Sequence, residues 1–332
     1  MNTVMKRTLG RSGLEVSAIG LGCWAIGGKF TLDGQPDGWG AVDDKESIRA
    51  IQRSLDLGVT LFDTADVYGC GHSERVLGRA VASRRHEVII ATKFGFLFDE
   101  ATRQATGSNV SSEYIRSACE ASLRRLGTDY IDLYQLHCGI SSRAEGEEVI
   151  TTLEELVHAG KIRFYGASTD DPELAALFAQ GPHCTVIQQQ RNVFDGNDEV
   201  LAFCEAQGLA ALCRSPLAMG MLTGKYRSNA GLAEDDFRRR APSWCAYFQA
   251  DQIHRWAALV DALREVLTAD GRTLVQGALA WIWARSSMTI PIPGFKTVEQ
   301  VEENVAALHY GPLPEDQMRQ IDELLERAKE AR

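Results

Sequence analysis

Four times along this chain a helix-like stretch ends in glycine and a short apolar strand follows within a few residues. IRAIQRSLDLG ends at Gly58 and runs into VTLFDTA; YIRSACEASLRRLG ends at Gly127 and runs into TDYIDLYQLH. ITTLEELVHAG ends at Gly160 before KIRFYGAS, and VLAFCEAQG ends at Gly208 before LAALCRS. Glycine suits the residue just past a helix because it adopts a left-handed conformation without a Cβ clash. Helices that alternate with short, almost wholly apolar strands predict a parallel sheet covered by helices.

Eight strands can be counted: Ala18–Gly22, Leu61–Thr64, Val88–Lys93, Ile131–His137, Ile162–Ser168, Val186–Gln189, Ala210–Arg214 and Met288–Pro291. Helix-start signals support the segments between them. Asp43 with Glu46 reads as a capping box, as does Thr297 with Gln300. Asp171 before Pro172 reads as an N-cap followed by proline at the first helical position. Residues 3–17 hold two strand-like runs around Gly10 and Gly13, a hairpin ahead of the first strand. No linker or low-complexity stretch divides the 332 residues. The expected architecture is therefore one α/β domain over 1–332, a (β/α)8 TIM barrel with an N-terminal β-hairpin and long loops on its C-terminal face. The longest irregular segments are 215–250 and the Gly- and Trp-rich 23–42. Both follow a strand, which puts them on the face where barrel active sites lie.

Composition narrows the function. Lys plus Arg number 35 against 45 Asp plus Glu, a net charge of −10 with no basic block. That balance argues against nucleic acid or an anionic membrane as partner. No stretch approaches the ~20 apolar residues of a membrane span. The N-terminal segment lacks the apolar run of a signal peptide, so a cytoplasmic location is expected. The cysteines, Cys23, Cys70, Cys119, Cys138, Cys184, Cys204, Cys213 and Cys245, include no C-x-x-C pair, and most lie in apolar segments. They read as reduced, mostly buried thiols. The seven histidines are scattered without an H-x-H, which argues against a metal-dependent barrel hydrolase and for no metal. Gly20, Gly22 and Ala25 fit G-x-G-x-x-A after a strand. A dinucleotide fingerprint needs a helix to open at its last glycine, and IGGKFTLDGQPDGWG cannot be that helix.

Four ionisable residues lie at or just past the ends of three consecutive strands: Asp63, Tyr68, Lys93 and His137. Neighbouring barrel strands bring such groups to one rim. A charge at the inner end of an apolar strand is costly unless paired, and Asp63 and Lys93 can be each other's partner. A cation beside the Tyr68 hydroxyl is expected to lower its pKa and suit it to act as a general acid. A neutral His137 imidazole can donate a hydrogen bond to a carbonyl oxygen and orient it.

FDTADVYGCGHSERVLGRAV, ATKFG, DYIDLYQLH, SPLAMGMLTGKY and PIPGFKTVEQVEEN resemble, in order, signature segments of the aldo-keto reductase superfamily, from near residue 8 to about 310. The resemblance implies a catalytic tetrad of Asp63, Tyr68, Lys93 and His137. It implies hydride transfer between NADP(H), or with less support NAD(H), and a small-molecule aldehyde or ketone, with Tyr68 as proton donor. It places Gly22, Trp24 and Asp63 beside the cofactor and Ser168, Thr169 and Gln188 at the nicotinamide carboxamide. Arg214 stands where relatives stack an aromatic residue on the nicotinamide, and a planar guanidinium can also stack. Ser215, Leu217, Gly220 and Lys225 would hold the pyrophosphate. Lys296 and Thr297, at the start of a helix, would meet a 2′-phosphate. Gln300 stands where an arginine often occurs, and Glu303 and Asn304 would face the adenine. Trp24, Tyr68, Phe94 and His137 would line the substrate pocket, together with Phe30, Trp39, Phe96 and residues of the 215–250 loop such as Trp244 and Phe248. A nicotinamide-binding regulatory or sensor subunit, as in the potassium-channel β-subunit branch, is the alternative reading. The substrate, the physiological direction and the oligomeric state are not legible.

Overall fold

The computed structural model describes residues 4–330. Residues 1–3 and 331–332, at the ends of the single domain expected over 1–332 and including the first residue of the expected hairpin, lie outside them. The eight parallel strands are β1 (Gly20–Gly22), β2 (Leu61–Asp63), β3 (Ile89–Phe94), β4 (Ile131–Leu136), β5 (Ile162–Ser168), β6 (Cys184–Asn192), β7 (Ala210–Arg214) and β8 (Thr289–Pro291). They pair in chain order. A parallel bridge between Gly22 and Gly294, with the Gly22 N–H donating to the Pro293 carbonyl at 3.0 Å, closes the barrel.

Most strand ends fall within a residue or two of the expected ones. The first begins later because Ala18 and Ile19 precede any ladder pairing, and β6 runs on to Asn192, where it pairs with Asp195–Gly196. The longer helices are α1 (Asp44–Asp56), α2 (His72–Val81), α3 (Ser112–Leu126), α4 (Arg143–His158), α5 (Pro172–Phe178), α6 (Asp198–Gln207), α7 (Ile253–Leu267) and α8 (Leu274–Arg285) between the strands, and α9 (Val298–Ala306) and α10 (Glu315–Glu330) after the last. Asp171 caps α5 as expected, accepting from the Glu173 N–H at 2.9 Å. Asp43 caps α1, but no box forms there: Glu46 turns away and accepts from the Val298 N–H at 3.0 Å. Thr297 caps α9, while the Gln300 side chain reaches past it to the Lys296 N–H. The capping box that does form, Thr273 with Gln276 on α8, was not among those expected.

Two-residue alternation along each strand divides the interior from the helix layer. Leu61, Ala91, Leu133, Val186, Ala210, Leu212 and Ile290 fill the barrel with Leu9 and Val16 of the hairpin. That hairpin, Lys6–Thr8 with Glu15–Ser17, plugs the bottom. Arg11 at its turn donates to the carbonyls of Cys184, Ala179 and Gly181. Phe62, Ile90, Phe94, Tyr134, Tyr165 and Ile187 point the other way, into the core shared with the helices. A small sheet on the C-terminal face joins the loop after β1 (Thr31–Leu32 and Gln35–Pro36) to Phe96–Asp99 and Gln104–Ser108 after β3. The described cysteines carry free thiols, all buried except the half-buried Cys138. Among the described residues, no helix is long and apolar enough to cross a membrane.

Candidate active site

The same alternation that packs the middle of the barrel with aliphatic side chains turns an inward residue near the end of each of β2 to β7 to the top. Those residues are polar: Asp63 on β2, Lys93 on β3, Gln135 on β4, Ser168 on β5, Gln188 on β6 and Arg214 on β7. Lys93 and Asp63 form an ion pair at 2.6 Å, their side chains 0% and 3% exposed. The Lys93 ammonium also donates to the Thr64 carbonyl at 2.8 Å and to the Tyr68 hydroxyl at 3.2 Å. The other Asp63 oxygen accepts from Gln188 at 2.8 Å and Gln135 at 3.1 Å. Both carboxylate oxygens and the ammonium are thus satisfied, the condition for keeping charges buried.

Tyr68 sits on a tight loop between β2 and α2. Gly69 holds that loop against the first loop: at φ +61°, a Cβ would stand 2.0 Å from the Gly27 carbonyl oxygen. Tyr68 meets His137 edge-on at 5.6 Å between ring centres, and Phe96 meets His137 at 5.3 Å. His137 follows β4, its N–H donating to the Phe94 carbonyl at 2.9 Å. Asp63, Tyr68, Lys93 and His137 therefore converge as expected.

The electrostatics differ from expectation in one respect. Burial holds the Tyr68 hydroxyl above its ordinary pKa, with Lys93 opposing and Asp63 reinforcing it, so the net shift is upward. Burial disfavours a charged Lys93, but Asp63 and Tyr68 outweigh it and the ammonium sits above its usual value. Burial, then Lys93 and Arg214, push His137 well below the usual imidazole range, so it is neutral.

Asp63, Tyr68 and His137 line the floor of a cavity of about 1110 Å³, with Lys93 buried behind them. Gly22, Trp24, Asp63, Ser168, Gln188, Arg214, Ser215, Leu217, Gly220, Lys225, Lys296, Gln300, Glu303 and Asn304 all line it, as do Trp39, Phe96 and Trp244. Phe94 does not. Lys93 faces inward, so its neighbour faces out, and Phe94 packs on Tyr134 at 4.6 Å under the helices. Thr169 falls outside the lining for the same reason of parity with Ser168; its hydroxyl accepts from the Asp171 N–H at 3.0 Å. Thr297 also lies outside it, its hydroxyl accepting from the Gln300 N–H as the helix cap. Phe30 and Phe248 are buried behind the wall.

The lining residues without a distinct sequence signal include Asp37, Asp170, Gln190 and Arg238. Asp170 pairs with Arg214, which also donates to Gln190 at 3.0 Å. Arg238 pairs with Asp236 at 2.7 Å and lies over the Trp39 ring at 4.5 Å. It belongs to a contact between the two long loops: Trp39 bridges Asp236, and the Phe237 N–H donates to the Gly38 carbonyl at 3.1 Å. Lys296 joins this contact by donating to the Trp39 carbonyl. Past β7 the backbone is left-handed at Ser215, Ala218, Met219 and Gly220, conformations that non-glycine residues rarely adopt outside functional loops. Among the described residues no cluster of His, Cys, Asp or Glu is arranged to hold a metal ion.

The Aldo/keto reductase family model matches residues 18–326. An aldo-keto reductase of Schizosaccharomyces pombe named for NADP(+) is 33% identical over 300 residues, covering 88% of this chain and 84% of the relative. The aldo-keto reductase YhdN of Bacillus subtilis is 34% identical over 298 residues, 88% of this chain and 85% of its own. A glycerol dehydrogenase from Gluconobacter oxydans superposes with a TM-score of 0.82 at 29% identity, covering 98% of this chain and 96% of that one. An aldo-keto reductase from Klebsiella pneumoniae in complex with NADP and acetate superposes with a TM-score of 0.72 at 26% identity, over 97% and 96% of the two chains. Sequence and fold agree over nearly the whole barrel, and this chain belongs to the aldo-keto reductase family of oxidoreductases.

Proposed function

We propose that this chain reduces an aldehyde or ketone to the alcohol with NADPH, and that Tyr68 is the general acid. One observation carries the reading. The Tyr68 hydroxyl lies 3.2 Å from a Lys93 ammonium whose charge Asp63 holds in place, at the floor of the cavity. The cofactor supplies the hydride when bound. Tyr68, protonated because burial raises its pKa, gives its proton to the carbonyl oxygen as negative charge grows there, and Lys93 stabilises the phenolate left behind. Neutral His137 donates a hydrogen bond to the same oxygen and orients it. Trp24, Tyr68 and His137 form the wall around the reacting carbon.

The remaining lining fits NADP(H). Ser168 and Gln188 offer a hydroxyl and an amide to the nicotinamide carboxamide, and the Arg214 plane lies beside them. The left-handed turn at Ser215–Gly220, with Lys225, suits a pyrophosphate, because such turns gather backbone N–H groups. Leu217 closes it against that group. Lys296, with Gln300, takes the 2′-phosphate, which favours NADP(H) over NAD(H), and Glu303 and Asn304 border the adenine. Thr297 reaches the phosphate only by giving up its capping role.

The test is NADPH oxidation against a panel of aldehydes, ketones and keto-sugars, with Tyr68→Phe alongside. The variant keeps the ring and should bind NADPH normally while kcat/KM falls by roughly 10²–10⁴-fold, the worth of a positioned general acid. Full activity in Tyr68→Phe overturns the acid role. Wild-type protein that binds NADPH and reduces nothing favours the regulatory or sensor reading.

A further inference from the structure

We infer that Asp37 makes this cavity selective for carbonyl substrates that carry an ammonium group, an inference resting on the reductase reading above. Asp37 lines the cavity, and its N–H donates to the Phe30 carbonyl at 3.1 Å. Phe30 packs in the cluster that includes Trp24, Leu32, Tyr68 and Phe96. This places Asp37 on the loop after β1, beside the cluster that packs on Tyr68, and two residues before Trp39, whose carbonyl accepts from Lys296.

What sets Asp37 apart is its lack of a partner. Asp63, Asp170, Asp195 and Asp198, which line the same cavity, each accept a hydrogen bond from a Lys, Arg or Gln side chain. The Asp37 carboxyl has neither a side-chain hydrogen bond nor an ion pair among the described residues. Glu303 also has none, but it lies on α9 beyond Lys296. Three of the four cations on the lining are engaged elsewhere, and the fourth, Lys225, follows the turn after β7 and makes no ion pair with Asp37. Arg214 pairs with Asp170, Arg238 with Asp236, and Lys296 donates to the Trp39 carbonyl. Burial without a counter-charge pushes the Asp37 carboxyl up to about 7.

A half-buried, unpaired carboxylate is costly, and a bound cation relieves that cost by restoring its charge against a partner. The lining around this loop is aromatic. Trp24 lies 5.4 Å from Trp39 and 6.1 Å from Trp244, centre to centre, with Tyr68 and Phe96 beside them. Indole rings with a carboxylate are the surroundings that attract an organic ammonium, through the ring quadrupole and the opposite charge together. A neutral ligand gains only the apolar contact, and a carboxylate ligand is repelled. The net charge of −10 further favours approach of cations.

A matched pair of aldehydes isolates the charge: 4-[(trimethylammonio)methyl]benzaldehyde and its neutral isostere 4-neopentylbenzaldehyde. Steady-state reduction of both by NADPH is measured with the wild type, Asp37→Asn and Asp37→Glu. In Asp37→Asn the cationic-to-neutral ratio of kcat/KM should fall by about tenfold or more, mainly through KM of the cation. The neutral aldehyde should stay within about twofold, and Asp37→Glu should keep the preference. Taking the change in ratio cancels any intrinsic reactivity difference between the two aldehydes. An unchanged ratio in Asp37→Asn, or an equal loss for both aldehydes, overturns the inference and leaves the reductase reading standing. Wild-type protein that reduces neither, yet turns over other carbonyls of the panel, overturns this inference alone; wild type that binds NADPH and reduces no carbonyl at all overturns the reductase reading and this inference with it.

Discussion

Replacing Asp63 by Asn tests whether the buried pair is held together as the geometry requires. At 2.6 Å, opposite unit charges attract by about 6 kcal/mol at an effective dielectric of about 20. Against this stands the cost of burying two ions, several kcal/mol each. The pair therefore contributes little net stability, but removing one partner exposes the full cost of the other. Asn can still accept from Gln135 and Gln188, yet its amide N–H faces the Lys93 ammonium, donor against donor. The expected loss is about 3–5 kcal/mol, read from urea unfolding at pH 7 by tryptophan fluorescence. A second readout carries the sign. In the wild type the Lys93 pKa lies above its unfolded value, so its contribution is present below about 10.5 and lost as pH rises through the folded value. In Asp63→Asn, burial is no longer opposed by a carboxylate and the Lys93 pKa falls. The variant then gains stability relative to the wild type as pH rises toward 10. Adding Lys93→Met should restore at least about 2 kcal/mol, because both charges are then gone. A loss below about 1 kcal/mol, or single losses that simply add in the double variant, would refute the reasoning.

Three further outcomes follow from other parts of the molecule. Lys296→Ala should weaken NADPH binding by about 10–100-fold and change NADH binding by less than about twofold; equal losses by calorimetry would remove the 2′-phosphate assignment. Gly10→Ala should cost about 2 kcal/mol or more, because at φ +54° its Cβ would stand 2.1 Å from the Thr185 carbonyl oxygen; an unchanged urea midpoint would count against the plug. His137 is held neutral mainly by burial. Its contribution is complete above its unfolded pKa of about 6.5 and declines at up to about 1.4 kcal/mol per pH unit as pH falls toward the folded value. His137→Gln should therefore show a shallower loss of stability between pH 7 and 5, and parallel curves would contradict the neutral assignment.

The parts legible in the sequence were those set by short-range periodicity. Helix, glycine and strand recur within about thirty residues, so the barrel could be counted. Asp63, Lys93 and His137 end apolar strands, and a charged group there needs company. Phe94 faces outward on the same grounds, being next to an inward Lys93, and so leaves the pocket for the core under the helices. Thr169 beside Ser168 follows the same parity. The helix caps were half legible: Asp43, Asp171 and Thr297 do cap, but where the Glu46 and Gln300 side chains turn depends on which backbone N–H lies nearest in space.

The repeat, the strand parity and the ionisable residues that end apolar strands follow from the sequence itself, because a strand's period of two and a helix's end are local properties of the chain. The pairing of Arg214 with Asp170, the bridge from Trp39 to Asp236 and the Lys296 contact with the Trp39 carbonyl were decided only in three dimensions. So were the direction of the Tyr68 pKa, set by how deeply the hydroxyl is buried, and the isolation of Asp37. Each depends on which distant loops meet, and loops after different barrel strands meet through packing, not through any spacing along the chain.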